Sequence, residues 1–165
     1  MHILIKMLFF IKKLQLEGKK IGFTASSFDL LHAGHYLMLK DAKEQCDILI
    51  VGLQSDPTLN LEYRLKTDGK QKNKPIQSLE EREEQLKGCK YVDHIIHYNS
   101  EDDLLLLLKK VNPDVRILGS DWYGKEYTGH DLDIKIHWHE RNHNYSTSNL
   151  RKRVYEEELR KRQNN

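Results

Sequence analysis

Cysteine is scarce in this chain. Cys46 and Cys89 are the two present, and they form no CxxC, no Cys/His ligand spacing and no disulfide framework. That argues against a thiol-ligated zinc module and predicts a reducing, cytoplasmic setting. Charge of one sign is lacking as well. A net charge of +2 excludes a general polyanion-binding surface, so any preference for anions must come from local clustering. Long hydrophobic runs are also missing. The N-terminal "MHILIKMLFFIKK" is interrupted at Lys6 and closed by Lys12 and Lys13. The stretch Met7–Ile11 is far too short to span a bilayer, and no small-residue cleavage site follows to mark a signal peptide. Residues 1–18 are therefore expected to be an extension, an extra strand or helix packed on the domain; a membrane-surface or partner contact is the alternative. No internal repeat or low-complexity segment interrupts the chain.

What is present is one domain's worth of sequence, 165 residues with enough apolar blocks for a real core. The domain is expected over 19–160, with 161–165 as a frayed tail. Lys19–Ser26 reads as a short buried strand. Leu31, His35, Met38, Ala42 and Cys46 then step by three or four, as an amphipathic helix does. Asp47–Leu53 is a near-continuous apolar run, a strand covered on both faces. Ser55 to Lys74 is polar, with four lysines from Lys66 onward, and a segment of that length in a compact domain is expected to be functional or mobile. Ser78 to Glu81 is a capping box opening a helix to about Cys89. "YVDHIIHY" is a third strand, and Ser100 to Asp103 caps a helix through Lys110. "DVRILG" and Asp133–Glu140 are the fourth and fifth strands, and Ser146 begins a final helix carrying Leu150, Val154 and Leu159. This alternation predicts a single-domain, doubly wound (Rossmann-like) α/β fold: a five-stranded parallel sheet with helices on both faces.

In such folds ligands bind beyond the carboxyl ends of the strands, so the residues that follow each strand are the candidates. After the first come Ser26, Ser27, Phe28 and Asp29, then His32 and His35. After the fourth comes Gly119-Ser-Asp-Trp-Tyr-Gly-Lys125, and after the fifth Glu140 to Asn149. Small hydroxyl residues and glycine beside basic side chains suit phosphate, because exposed N–H groups at a helix start donate to its oxygens. His32 and His35 lie on one side of a helix start, and Gly34 and Ala33 leave room for a bulky phosphate to approach the backbone. Two other readings stay open: one histidine caps the helix while the other is a satisfied core residue, or the pair binds zinc, although zinc helices space their histidines i, i+4 and no third ligand is evident. His94 and His97 point to opposite faces of the third strand, which argues against a metal pair. His137 and His139 share one face of the fifth, where edge or core roles are expected. The basic run at 151–153 reads as a solvated helix face, without the interleaved aromatics of a nucleic-acid site.

"SFDLLHAGH" (Ser27–His35) resembles the signature of the cytidylyltransferase-like nucleotidyltransferases with an HxGH motif, and within them the chain is similar to glycerol-3-phosphate cytidylyltransferase. "RNHNYSTS" (Arg141–Ser148) resembles that family's second signature and "LGSDWYGK" (Leu118–Lys125) a third segment. Lys74, eight residues before Arg82, stands where the family carries a phosphate-binding lysine and then an arginine. The resemblance runs from about Ile21 to Val154. There are departures: Ser26-Ser27 replaces the usual Gly-Thr or Gly-Cys, and Asn142-His143-Asn144-Tyr145 stands where close relatives carry Thr-Glu-Gly-Ile.

The resemblance implies that an acceptor phosphate oxygen attacks the α-phosphorus of CTP and pyrophosphate leaves. The acceptor would be a polyol, sugar or alcohol phosphate. An ionised phosphate needs no enzymic nucleophile, so positioning and charge stabilisation are the protein's task. On this reading His32, His35, Lys74 and Arg141 are catalytic. Ser27, Phe28, Asp29, Gly34, Gly119, Asp121, Trp122, Ser146 and Thr147 line the nucleotide, and Arg82 and Lys125 face the acceptor, although Arg82 by itself reads more readily as an ion-pair organiser. Trp122 either stacks on a base or covers the sheet end. Mg²⁺ would travel on the triphosphate with no dedicated protein ligand; Asp29 and Asp121 are the nearest carboxylates, or ordinary turn caps. The resemblance also implies a homodimer; from the residues, no nucleic-acid partner and no membrane span are expected. The alternatives are an adenylyltransferase of the heptose-phosphate or pantetheine-phosphate kind and a non-catalytic nucleotide-binding module, which the altered Ser26-Ser27 turn would favour.

Overall fold

The computed structural model describes residues 2–60 and 73–164. The lysine-bearing part of the polar segment, Lys66 to Lys72, lies outside the described residues. Five strands, β1 (Ile21–Ser26), β2 (Ile48–Gln54), β3 (His94–Tyr98), β4 (Val115–Gly119) and β5 (Lys135–His139), form one sheet in the order β3-β2-β1-β4-β5. Every pairing is parallel. The helices are α1 (His2–Leu16), α2 (Ala33–Glu44), α3 (Leu79–Lys87), α4 (Glu101–Val111) and α5 (Thr147–Gln163).

The sheet is apolar on both faces because helices cover both. Phe23 and Ile50 point into one cluster with Leu104, Leu107 and Leu108 of α4. Leu49, Val51 and Leu53 point into the other with Leu39 and Ala42 of α2 and Leu86 of α3. The N-terminal extension is a helix: Met7, Ile11 and Leu14 recur at helical spacing and pack on the α4 side, with Ile11 only 1% exposed. Gln15 ties its end to the Asn112 carbonyl at 2.8 Å. Both sequence-read capping boxes form, Ser78 with Glu81 and Ser100 with Asp103. β3 starts at His94 and β5 is shorter at both ends than expected. α5 runs to Gln163, with the Arg160–Glu157 and Lys161–Glu158 pairs along its last turns.

The register makes the crevice. β1 pairs with β2 along its whole length, Ile21 with Ile48 through Ser26 with Leu53. With β4 it pairs only at Gly22 and Phe23. Beyond Phe23 the two strands part, bridged by Thr24 Oγ1 donating to the Ile117 carbonyl at 3.1 Å. This is the point where strand order reverses, and it opens toward the carboxyl ends of the strands.

Candidate functional site

A cavity of about 330 Å³ occupies that crevice. The structure brings His32, Gly34, His35, Gly119, Asp121, Trp122, Arg141, Ser146 and Thr147 together around it, with Ser26, His139, His143 and Tyr145.

The turn after β1 is strained. Phe28 and Leu30 both have positive φ, 48° and 50°, a conformation that costs an ordinary L-residue about 1–2 kcal/mol. The surroundings hold it. Phe28 is fully buried, Asp29 Oδ1 accepts from the N–H groups of Ile76 and Gln77 at 3.0 Å each, and Leu30 N–H donates to Gln77 Oε1 at 2.8 Å. Arg82, 2% exposed, fastens the same corner: its Nη1 donates to the Ser27 and Gln54 carbonyls at 2.7 Å and its Nη2 to Ser55 at 2.6 Å. Phe28, Asp29 and Arg82 do not line the cavity, which corrects the substrate contacts expected of them. The Phe28 side chain is core. Asp29 follows the turn-cap alternative, its carboxylate facing backbone N–H groups and Arg151. Arg82 follows the organiser alternative, its guanidinium donating to the backbone carbonyls of the turn.

His32 is the N-cap of α2. Its Nδ1 accepts from Gly34 N–H at 3.1 Å, and His35 Nδ1 accepts from His32 N–H at 3.3 Å. The capping reading and the ligand reading are therefore compatible. An Nδ1 that accepts carries no proton, so each neutral ring holds its hydrogen on Nε2. The rings stack with centroids 3.9 Å apart, and His32 Nε2 lies 3.3 Å from Thr147 Oγ1 at the start of α5. Burial, followed by the neighbouring His32 and then Arg141 charges, pushes His35 down to about 3. Burial, then Arg141 and His143, also lowers His32. Both are neutral, tautomer-fixed N–H donors near pH 7.

The two helix starts at the cavity share a feature. Neither α2 nor α5 carries an acidic residue in its first turn, whereas α3 has Glu80 and Glu81 and α4 has Glu101, Asp102 and Asp103. Carboxylates normally stabilise that position. Their absence leaves the positive ends of α2 and α5 to an external anion. Arg141 adds a cation on a loose tether, 3.8 Å from Asp121 and bonded to the Tyr145 carbonyl at 3.2 Å.

Other expected site residues lie elsewhere. Lys74 and Lys125 are exposed and do not line the cavity. The Lys74 carbonyl accepts from Arg151 at 3.3 Å. Arg151 also sits 3.7 Å from Asp29, so the 151–153 run is not wholly a solvated face. Ser27 gives its carbonyl to Arg82. His94 meets Phe10 and His97 meets Glu83, on opposite faces. His137 and His139 do share a face, and both reach Asp41. Sequence reading missed His139, His143 and Asp41 at the site; the shared face of the two β5 histidines was the available signal. Among the described residues no group of three His, Cys, Asp or Glu side chains could hold a metal ion, and no helix is long and apolar enough to cross a membrane.

The sequence model of the cytidylyltransferase-like family matches residues 23–153. The chain is 38% identical over 136 residues to the bifunctional protein HldE of Campylobacter concisus, covering 82% of this chain and 27% of that protein. It is 37% identical over 139 residues to HldE of Helicobacter pylori, covering 84% and 28%. The chain thus spans about a quarter of the length of these curated relatives. Among solved structures, the lipopolysaccharide core biosynthesis protein from Thermoplasma volcanium superposes with a TM-score of 0.56 at 25% identity, over 78% of this chain and all of that one. The pantoate-beta-alanine ligase from Francisella tularensis shares the fold, with a TM-score of 0.61 at 20% identity over 89% and 70% of the two chains. The chain belongs to the cytidylyltransferase-like family of nucleotidyltransferases.

Proposed function

We propose that this member of the cytidylyltransferase-like family transfers a nucleoside monophosphate from a nucleoside triphosphate to a small phosphorylated sugar or polyol, with release of pyrophosphate. The observation that carries the proposal is the pair of acid-free helix starts, α2 and α5, meeting at His32 Nε2 and Thr147 Oγ1 over the cavity. Two polyanions can be held there without a protein nucleophile. The acceptor phosphate attacks the α-phosphorus in line, the bond to the β-phosphate oxygen breaks, and the electron pair leaves with pyrophosphate. His32 and His35 donate from Nε2 to the phosphoryl oxygens, and the N–H groups of α5 hold the outgoing phosphates. Arg141 swings from Asp121 to the developing charge, since an exposed pair of that kind is worth only about 0–1 kcal/mol.

Mg²⁺ fits as a companion of the triphosphate and not as a resident ion: Asp29 is taken up by backbone, and Asp121 is one exposed carboxylate. When bound, it neutralises charge shared between the phosphates. CTP is the first reading for the nucleotide, carried by the Gly119-Ser-Asp-Trp122 segment's resemblance to the cytidylyl enzymes. The second is adenylyl transfer to a heptose phosphate, favoured by the likeness to the HldE proteins over four fifths of the chain. The likeness to a lipopolysaccharide core biosynthesis protein supports a sugar phosphate as acceptor.

Pyrophosphate release from CTP and from ATP, each with Mg²⁺ and with glycerol 3-phosphate or a heptose phosphate, tests the reading. Acceptor-dependent release with one nucleotide is expected, reduced about 10²–10³-fold in His35→Ala as for other lost transition-state donors. No release with any pair, or an undiminished rate in folded His35→Ala, would refute it.

A further inference from the structure

The cavity that favours phosphate along His32, His35 and α5 also holds, besides the exposed Asp121 carboxylate, a buried group of opposite polarity. His139, at the end of β5, is 8% exposed, and its Nδ1 lies 2.7 Å from Asp41 Oδ2. Asp41 also takes His137 Nε2, at 3.0 and 3.1 Å to its two oxygens. Burial alone would raise the Asp41 pKa, but the hydrogen bonds from His139 and His137 outweigh it and hold the carboxyl below its usual range. An ionised Asp41 accepts and cannot donate. His139 therefore donates from Nδ1 to Asp41, and in that tautomer an Nε2 lone pair turns the other way. That nitrogen is buried and has no hydrogen-bond partner among the described residues, although His139 lines the cavity.

A lone pair is the wrong group for a fully ionised phosphate, which has no hydrogen to give. A buried acceptor left empty is costly, and one that meets an N–H or O–H is satisfied. The strand pairing places His139 beside Gly119, the residue that opens the Gly119-Ser-Asp-Trp122 segment. The phosphate-binding groups lie on α2, α5 and the Arg141 loop.

We propose that His139, set in its tautomer by Asp41, is a specificity-determining residue of this site: its Nε2 accepts a hydrogen bond from an uncharged N–H or O–H donor on the substrate and so fixes which end of the substrate enters the crevice. The assignment rests on the nucleotidyl-transfer reading above. The donor has two sources, the exocyclic amine of the nucleobase or a hydroxyl of the acceptor. In this tautomer the position suits a hydrogen-bond donor and not an ionised phosphate.

The test uses His139→Asn, which leaves an amide N–H where Nδ1–H bonded Asp41 and removes the lone pair facing the cavity. Calorimetric titration with CTP or ATP in Mg²⁺ gives nucleotide affinity, and titration with inorganic triphosphate gives affinity at the donor end alone. Steady-state turnover gives KM for glycerol 3-phosphate or a heptose phosphate. The expected loss is about tenfold. If it appears in nucleotide Kd, the base is the donor; if in acceptor KM, the acceptor hydroxyl is. In both cases triphosphate affinity is unchanged. Asp41→Asn, whose amide can donate to Nδ1 and turn Nε2 into a donor, should show the same loss with the same selectivity. Unchanged nucleotide Kd and acceptor KM in folded His139→Asn would overturn the assignment and leave Nε2 to an ordered water, as would an equal loss for inorganic triphosphate. Wild-type protein that binds no nucleoside triphosphate would instead overturn the nucleotidyl-transfer reading, and the role of His139 with it.

Discussion

Replacing Gly34 with alanine separates the fold of the β1–α2 turn from its chemistry. A Cβ at this position would lie 2.9 Å from His143 Cε1, 3.0 Å from His32 Cε1 and 3.1 Å from His32 Nδ1. The backbone there is helical, so alanine brings no φ strain, and the helical preference of alanine contributes up to about 1 kcal/mol in its favour. Against this stands the crowding of two rings. His143 sits in the loop between β5 and α5 and can swing aside. His32 can move only by weakening the Gly34 N–H···Nδ1 bond, a loss of about 1 kcal/mol. The two effects nearly cancel, and a residual of that size moves the Tm of a domain this long by about 2–4 °C. Turnover should not cancel. Both rings that crowd the new methyl are at the cavity, and a misplacement of about 1 Å in a reacting group costs about 10²-fold. Differential scanning fluorimetry and pyrophosphate release on the same preparation are the assays. A variant with near-native Tm and a roughly hundredfold fall in kcat/KM is expected. Wild-type turnover in Gly34→Ala would refute the placement of phosphate over this turn. A Tm drop beyond about 10 °C would show that the glycine serves packing instead.

Two further outcomes follow from the same corner. His35 titrates near 3 in the folded chain against an ordinary 6.5. The unfolded chain therefore takes up a proton between those values that the folded chain refuses, and stability is full above pH 6.5 and lost as pH falls toward 3. Denaturant midpoints for wild type and His35→Gln at pH 7 and pH 5 should show a wild-type loss larger by up to about 2 kcal/mol, and equal slopes would refute the buried neutral ring. Arg82→Lys keeps the charge but not the fork. With carbonyls of Ser27, Gln54 and Ser55 to serve from one nitrogen, it should lose about 2–4 kcal/mol in urea unfolding; an unchanged midpoint would show that the turn does not depend on the guanidinium.

The sequence is legible where structure is local. The helix start at His32, the capping boxes at Ser78 and Ser100, and the apolar run of β2 each declare themselves within a few residues, and their order implies the sheet. The N-terminal segment could not be assigned as strand or helix from its own pattern, because what settles it is Ile11 meeting α4. Asp29 was legible as a polar residue after the first strand and Arg82 as a basic residue on the helix that Ser78 caps, but not the backbone groups that each serves. The carbonyls and N–H groups they serve come from three different turns. Asp41 and His139 are 98 positions apart, and neither has a neighbour in sequence that betrays the other. Alternation on β5 does put His137 and His139 on one face, and only the packing of α2 supplies the carboxylate they share.

The distribution of acidic residues at the helix starts also bears on why the site is built from neutral donors. α3 and α4 each place carboxylates in their first turns and gain the usual few tenths to about 1 kcal/mol apiece. α2 and α5 forgo that gain at the two helices that converge on the cavity, and the turn leading into α2 holds Phe28 and Leu30 at positive φ. Stability is given up in both forms at one place, the pattern expected where a ligand and not the chain completes the electrostatics. A pair of permanently charged side chains in place of His32 and His35 would repel each other at 3.9 Å between ring centres and would bind substrate triphosphate and departing pyrophosphate alike. Fixed N–H dipoles hold their direction without a charge of their own. They strengthen as negative charge builds on the transferring phosphoryl group, which is the condition for stabilising the transition state more than the ground state.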